Sequence, residues 1–298
     1  MKTRYIMAAL AASLISSASF AQSLQTLGIS TDVATLSMGG ASTVAPVNGN
    51  ATRTNAAAMA FYGGTIASSA SFGKWAPSTA DNTLLSAGLF FKFGDRMAFG
   101  LDMSKYDDQE YDIFSPDGIA KGKFKPTDLT AGLGAAYLIT ENLSAGVTGR
   151  FTSSSLAADA SGNAVSADLS VLWKKDALKA GASLQNLGTK ISYGGDSYMI
   201  PLTASAGASY EIAGITAMAQ ADYHIAAKAF AAQTGAQYSF KDMLFARAGF
   251  HFGAGNAMPT FVSLGAGAKF KGVGLDVCYL TGSKTLSNSF LVGLRFEL

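Results

Sequence analysis

The chain has 298 residues, 49% hydrophobic and only 14% charged, with a formal net charge of +2. That balance, with no basic run, excludes a nucleic-acid surface, and a single cysteine excludes an intrachain disulfide framework. Past the N-terminus no apolar run approaches the ~18 residues of a spanning helix, so the hydrophobic residues must be interleaved with small and polar ones, as in a transmembrane β-barrel.

Residues 1–21 have the form of a secretory signal peptide. Lys2 and Arg4 form a charged start, Tyr5 to Ile15 an apolar run, and Ser19-Phe20-Ala21 a small-x-small site before Gln22. Residues 22–63 carry no strand pattern and are rich in Ala, Gly, Ser, Thr and Asn. They fit either a disordered leader or a hatch lodged in a barrel lumen. The Gly and Ala on the inward faces downstream favour the hatch, because such faces let another backbone come close.

From residue 64 the apolar residues alternate with a period of two. The alternation predicts fourteen strands near 64–75, 82–93, 96–105, 128–140, 143–154, 164–175, 177–187, 200–211, 215–225, 230–240, 243–252, 261–270, 273–280 and 288–298. Every second connection is very short, for example Gly94-Asp95, Glu141-Asn142, Ala213-Gly214 and Lys271-Gly272. The others are mostly longer, led by Tyr106 to Thr127, with Gly188 to Met199 and Gly253 to Thr260. Short turns on one rim, long loops on the other and an even strand number are the organisation of an outer-membrane barrel, here at 64–298 behind an N-terminal hatch.

The faces agree. Residues 129, 131, 133, 135, 137 and 139 read Leu, Ala, Leu, Ala, Tyr, Ile, against Thr130, Gly132 and Gly134 opposite. Aromatic residues close the apolar faces at both ends. Tyr137, Trp173, Tyr210, Phe240, Phe270 and Phe296 lie at the short-turn rim; Phe151, Tyr223, Phe250, Phe252, Tyr279 and Phe290 lie at the other. Such paired girdles mark the two membrane interfaces and make outer-membrane lipid the partner of this face. The closing strand, Phe290 to Leu298, resembles the assembly signal of such barrels, with Phe296 rather than the last residue as its aromatic.

Chemistry is sparse. The lumen faces place Arg150, Asp168, Lys179, Asp222, Arg247, Lys269, Asp276, Arg295 and Glu297 inside the barrel. Mutual pairing is the first expectation for charges in a confined space; anchoring a hatch or lining a path is the second. His224 and His251 face inward near the long-loop rim, with Asp222 on the same face as His224. They suit hydrogen bonding at the rim better than a catalytic dyad. Cys278 reads as a small buried filler. The acidic YDDQEYD run reads as a solvated loop tip, not a calcium site. No GxSxG, HExxH or Walker pattern occurs, so neither an enzyme nor a cofactor is expected.

Three stretches carry a family resemblance: STDVATLSMGGAS followed by NGNATRTNAAAMA; SLQNLGTKISYGGDSYMIPLTASAGASYE; and GLDVCYLTGSKTLSNSFLVGLRFEL. Together they resemble the PorV/PorQ family. The motif positions are Met38, Gly39, Gly40, Asn55, Asn186, Gly188 and Pro201, with Ala56 where the family has proline. The resemblance implies a FadL-like fourteen-stranded barrel in the outer membrane of a Bacteroidetes-type bacterium. It further implies a non-enzymatic role in type IX secretion, binding a secreted or surface protein partner. The alternative is a FadL-like transporter of small hydrophobic molecules, to which the weakly charged, Gly- and Ala-lined lumen points. A lipid-modifying enzyme is the most remote reading.

Overall fold

The computed structural model describes residues 24–115 and 117–298; the expected signal peptide lies outside them. The strands are β1 (Ile66–Trp75), β2 (Asn82–Phe93), β3 (Met97–Asp107), β4 (Tyr111–Phe114), β5 (Ala120–Phe124), β6 (Thr127–Thr140), β7 (Leu143–Ala157), β8 (Ala160–Lys175), β9 (Leu178–Gly188), β10 (Ile191–Tyr193), β11 (Asp196–Tyr198), β12 (Thr203–Ile212), β13 (Ile215–His224), β14 (Ala229–Phe240), β15 (Leu244–Ala254), β16 (Phe261–Phe270), β17 (Val273–Thr281) and β18 (Phe290–Glu297). All but β4, β5, β10 and β11 join one closed antiparallel barrel of fourteen strands. The seam runs from Ala67↔Glu297 to Lys74↔Phe290, so β1 and β18 leave no free edge.

Three turns of the short rim have two successive residues at positive φ: Ala213 and Gly214, Lys241 and Asp242, Lys271 and Gly272. Two successive left-handed residues match the right-handed twist of the flanking strands. The opposite rim carries two small hairpins, β4–β5 and β10–β11. It departs from the expected pattern at one place. The spacing predicts a loop over 155–163, but β7 and β8 run on to Ala157 and Ala160 and meet in a tight turn. Ser, Ala, Gly and Asn there hold ladder hydrogen bonds without an apolar face, so the period-two signal fades before the strand does.

Alternation sorts the side chains as expected. Leu133 is 72% exposed on the outside, with Phe270, Leu294 and Phe296 also outside. The expected girdle aromatics are all exposed on this face except Trp173, which is half-buried. This continuous apolar wall is far larger than a soluble monomer presents, and lipid is its matching environment.

Candidate functional site

The lumen is occupied by the segment from Leu24 to Tyr62, which includes α1 (Val33–Leu36), α2 (Ala51–Thr54) and short 3-10 turns at Gln25–Gly28 and Ala56–Phe61. The segment makes a circuit of the inner wall. Thr26 donates to Asp128 on β6 (2.7 Å), and Ser71 on β1 donates to the Thr31 carbonyl (2.8 Å). Gly39 N donates to Ser263 on β16 (3.0 Å) and Thr43 N to Gln220 on β13 (2.8 Å). Thr148 on β7 donates to the Thr52 carbonyl (3.0 Å), and Ala57 N donates to Ser170 on β8 (3.1 Å).

Glycines on the inner wall make this close approach feasible. A Cβ at Gly235 would lie 2.7 Å from Met38 Cα, and one at Gly249 would lie 2.6 Å from the same atom. At Gly146 it would lie 2.7 Å from the Ala56 carbonyl carbon, and at Gly134 2.8 Å from the Thr52 methyl. No side-chain atom fits at such separations.

The motif residues fall into two groups. Met38, Gly39 and Gly40 form the turn after α1, where φ of 77° and 86° at the glycines reverses the chain against β14 and β15. Asn55 caps the next turn, accepting from Ala57 N (3.0 Å) and donating to the Thr43 carbonyl (2.6 Å). Ala56 thus stands at the first helical position, where proline would also be accommodated. Asn186, Gly188 and Pro201 lie apart from these, at the outer end of the wall. Asn186, at φ 61°, donates its N–H to Asp168 (2.8 Å) and its side-chain amide to the Pro201 carbonyl (3.1 Å). Gly188 lies against Val165 and Ser166 of β8. Both groups shape the backbone.

The charged candidates form two buried clusters. Arg150 joins Asp168 through Nε (2.7 Å) and Asp102 through Nη1 (2.7 Å), and its Nη2 donates to the Thr52 carbonyl (3.0 Å). Arg53, on the lumen segment, is 3.8 Å from Asp102. On the other side of the barrel Arg247 and Arg295 both reach Asp276 (2.6 and 2.5 Å). Arg295 and Lys269 also pair with Glu297, and both arginines lie over the Phe245 ring. Asp222 belongs to neither cluster; it accepts from Gln220 (2.8 Å) and Gln233 (2.6 Å). Of the six barrel charges expected at the lumen segment, Arg150 is the one that bonds it directly among the described hydrogen bonds. The sequence reading missed Asp102 and Arg53. Asp102 carries a signal, since it alternates with the outward Leu101 and Met103; Arg53 lies outside any strand and carries none.

The rest of the interior divides by chemistry. On the contiguous strands β16, β17, β18, β1 and β2, the residues Phe261, Leu280, Leu291, Trp75 and Leu84 pack against Ile29, Val33 and Leu36 of the lumen segment. Met258 and Tyr106 lie at the edge of this cluster. Polar gaps of about 20 Å³ beside Arg53 and Arg150, and about 10 Å³ beside Asp276 and Arg295, have room for little more than a water.

The other singled-out residues have local roles. His224 shares a hydrogen bond with Thr203 (3.0 Å), while Asp222 is taken by glutamines, so no His–Asp pair forms. His251 stacks on Phe261 at 4.8 Å. Cys278 is buried in the apolar cluster. The YDDQEYD run is not the expected loop tip: it spans the end of β3 and the start of β4 and is mostly half-buried, with Lys105 paired to Asp107 and Lys123 to Glu110. No group of three or more metal-ligating side chains occurs among the described residues.

A fourteen-stranded barrel with lipid-facing walls and a chain segment packed through its lumen is the class this geometry defines. Its fold is that of the FadL-like outer-membrane barrels. The toluene transporter TbuX of Ralstonia pickettii superposes with a TM-score of 0.66 at 12% identity, over 89% of this chain and 98% of that one. The monoaromatic hydrocarbon channel CymD gives 0.67 at 14%, over 93% and 99%. A FadL homologue of Pseudomonas aeruginosa gives 0.62 at 14%, over 90% and 98%. No protein-family model and no curated protein sequence matches the chain.

Proposed function

We propose that this protein is an outer-membrane conduit for small hydrophobic molecules. The observation that carries the reading is the apolar cluster at the outer end of the lumen. It leads from Met258 and Tyr106 at the rim to Ile29, Val33 and Leu36 of the lumen segment. A lumen that only held two rims apart would be filled as well by polar pairs. Likeness in fold to barrels described as toluene and monoaromatic hydrocarbon transporters supports the same reading. The test is uptake of N-phenyl-1-naphthylamine by a Gram-negative host whose outer membrane limits it. Expression of the barrel raises the initial rate; a rate unchanged from an empty-vector host rejects the proposal.

A second reading, docking of a secreted or surface protein in type IX secretion by a Bacteroidetes-type barrel, is favoured by the β4–β5 hairpin. Its tip exposes Phe114 and Ile119, at 53% and 65%. Co-purification from lightly solubilised native membranes, with 108–125 replaced by a short Gly-Ser turn as control, tests it. A partner lost on replacement supports docking; the same recovery with and without the hairpin rejects it.

A further inference from the structure

We infer that the conduit takes uncharged apolar molecules and rejects carboxylated ones of the same size; the inference rests on the conduit reading and adds its selectivity. Most of the side chains that would grip a fatty-acid or aromatic carboxylate are already paired, Arg53 being the loosest, with Nη1 at 3.8 Å from Asp102 and no hydrogen bond to it. Each of the lumen arginines has a carboxylate of the chain within 4 Å: Arg53 and Arg150 share Asp102, Arg150 also holds Asp168, and Arg247 and Arg295 share Asp276. Lys269 pairs with Glu297, and Lys179 lies beside Lys174 at the short-turn end, away from the outer apolar cluster.

Other lumen carboxylates have only neutral donors. Asp32 accepts from Thr35, Ala34 N and Asn48; Asp128 accepts from Thr26; Asp222 accepts from Gln220 and Gln233. Asp128 and Asp222 lie towards the outer ends of β6 and β13, facing the same lumen mouth as the apolar cluster. An incoming anion therefore meets negative charge at the mouth. It then meets a cluster of Phe261, Leu280, Leu291, Trp75 and Leu84, whose flanking base is the His251 imidazole stacked on Phe261 rather than a lysine or arginine. Desolvating a carboxylate without a partner is strongly unfavourable, whereas a neutral molecule of equal size carries no such penalty.

Trp75 lies in the cluster, and Trp173 is the other tryptophan of the chain. Full-length W173F protein in detergent micelles therefore reports on the cluster through Trp75 emission, using bromine as a contact quencher. Methyl 4-bromobenzoate should quench Trp75 saturably at pH 7, while 4-bromobenzoate binds at least about tenfold more weakly. Quenching by the acid should recover as the pH falls through the ordinary carboxylate range near ~4. Comparable quenching by acid and ester at pH 7 overturns the selectivity, and quenching of Trp75 by neither overturns the site. If W173F does not fold, the difference between the unsubstituted protein and W75F isolates the same signal. Cellular uptake of the naphthylamine judges the conduit reading separately, so the two failures are distinguishable.

Discussion

Gly249→Ala places a methyl group where the lumen segment now touches the barrel wall. The new Cβ would lie 2.6 Å from Met38 Cα and closer still to Gly39 N, both backbone atoms that no rotamer can move aside. Gly235 on the neighbouring strand meets the same turn, with Met38 Cα at 2.7 Å. Overpacking of this kind costs about 1–3 kcal/mol. The barrel is closed and hydrogen-bonded throughout, so the strain is relieved most readily by lifting the segment at Met38–Gly40. The equilibrium for local opening then rises about fivefold to about 150-fold. Cys278 reads this out, because the only cysteine of the chain is 3% exposed, packed with Leu36 and adjacent to Ser37. Its labelling by a small methanethiosulfonate should accelerate by that factor in G249A and G235A. Gly149→Ala is the control, since its Cβ would meet nothing within 4 Å. Labelling of G249A within about twofold of G149A would refute the claim that the lumen glycines seat the segment.

Three further outcomes follow from the same geometry. Arg150→Met leaves Asp102 and Asp168 buried without their main cation; it should cost about 3–5 kcal/mol by urea-unfolding titration, and Arg150→Lys should recover part of it. Leu133→Arg, at mid-height of the outer face and 72% exposed, should cost about 2–4 kcal/mol on folding into vesicles, against at most about 1 kcal/mol for Tyr210→Arg at the short-turn rim. Asn55→Ala removes both the cap on Ala57 N and the bond to the Thr43 carbonyl. The loss should be about 1–2 kcal/mol, visible as faster Cys278 labelling with the barrel still resistant to unfolding in cold detergent.

Much of this molecule is written in nearest-neighbour chemistry. Alternation of Leu129, Ala131, Leu133 and Tyr137 with Thr130, Gly132 and Gly134 selects strand over helix and separates two faces. Ala213-Gly214 and Lys271-Gly272 mark the tight rim, and the girdle aromatics mark the height of the wall. These are local properties, because a strand imposes its period on each residue regardless of what lies across the barrel. The inward placing of Arg150, Asp168, Arg247, Asp276 and Arg295 follows from the same period.

Which charges meet does not follow. Arg150 and Asp102 are 48 positions apart, and Arg53 reaches Asp102 from a segment with no period at all. Their meeting depends on the stagger of the ladders once the barrel has closed, and on the route of the lumen segment. The separation of an apolar arc from an ion-paired one is of the same kind. Trp75 and Leu84 come from one end of the barrel sequence, Phe261 and Leu280 from the other, and the two pairs meet because β1 pairs with β18. Sequence alone therefore determined a lipid-facing, fourteen-stranded wall with small residues inside. Closure of that wall decided what the small residues hold, which arginines are engaged, and which side of the lumen is left apolar, because those contacts exist only between strands that closure brings together.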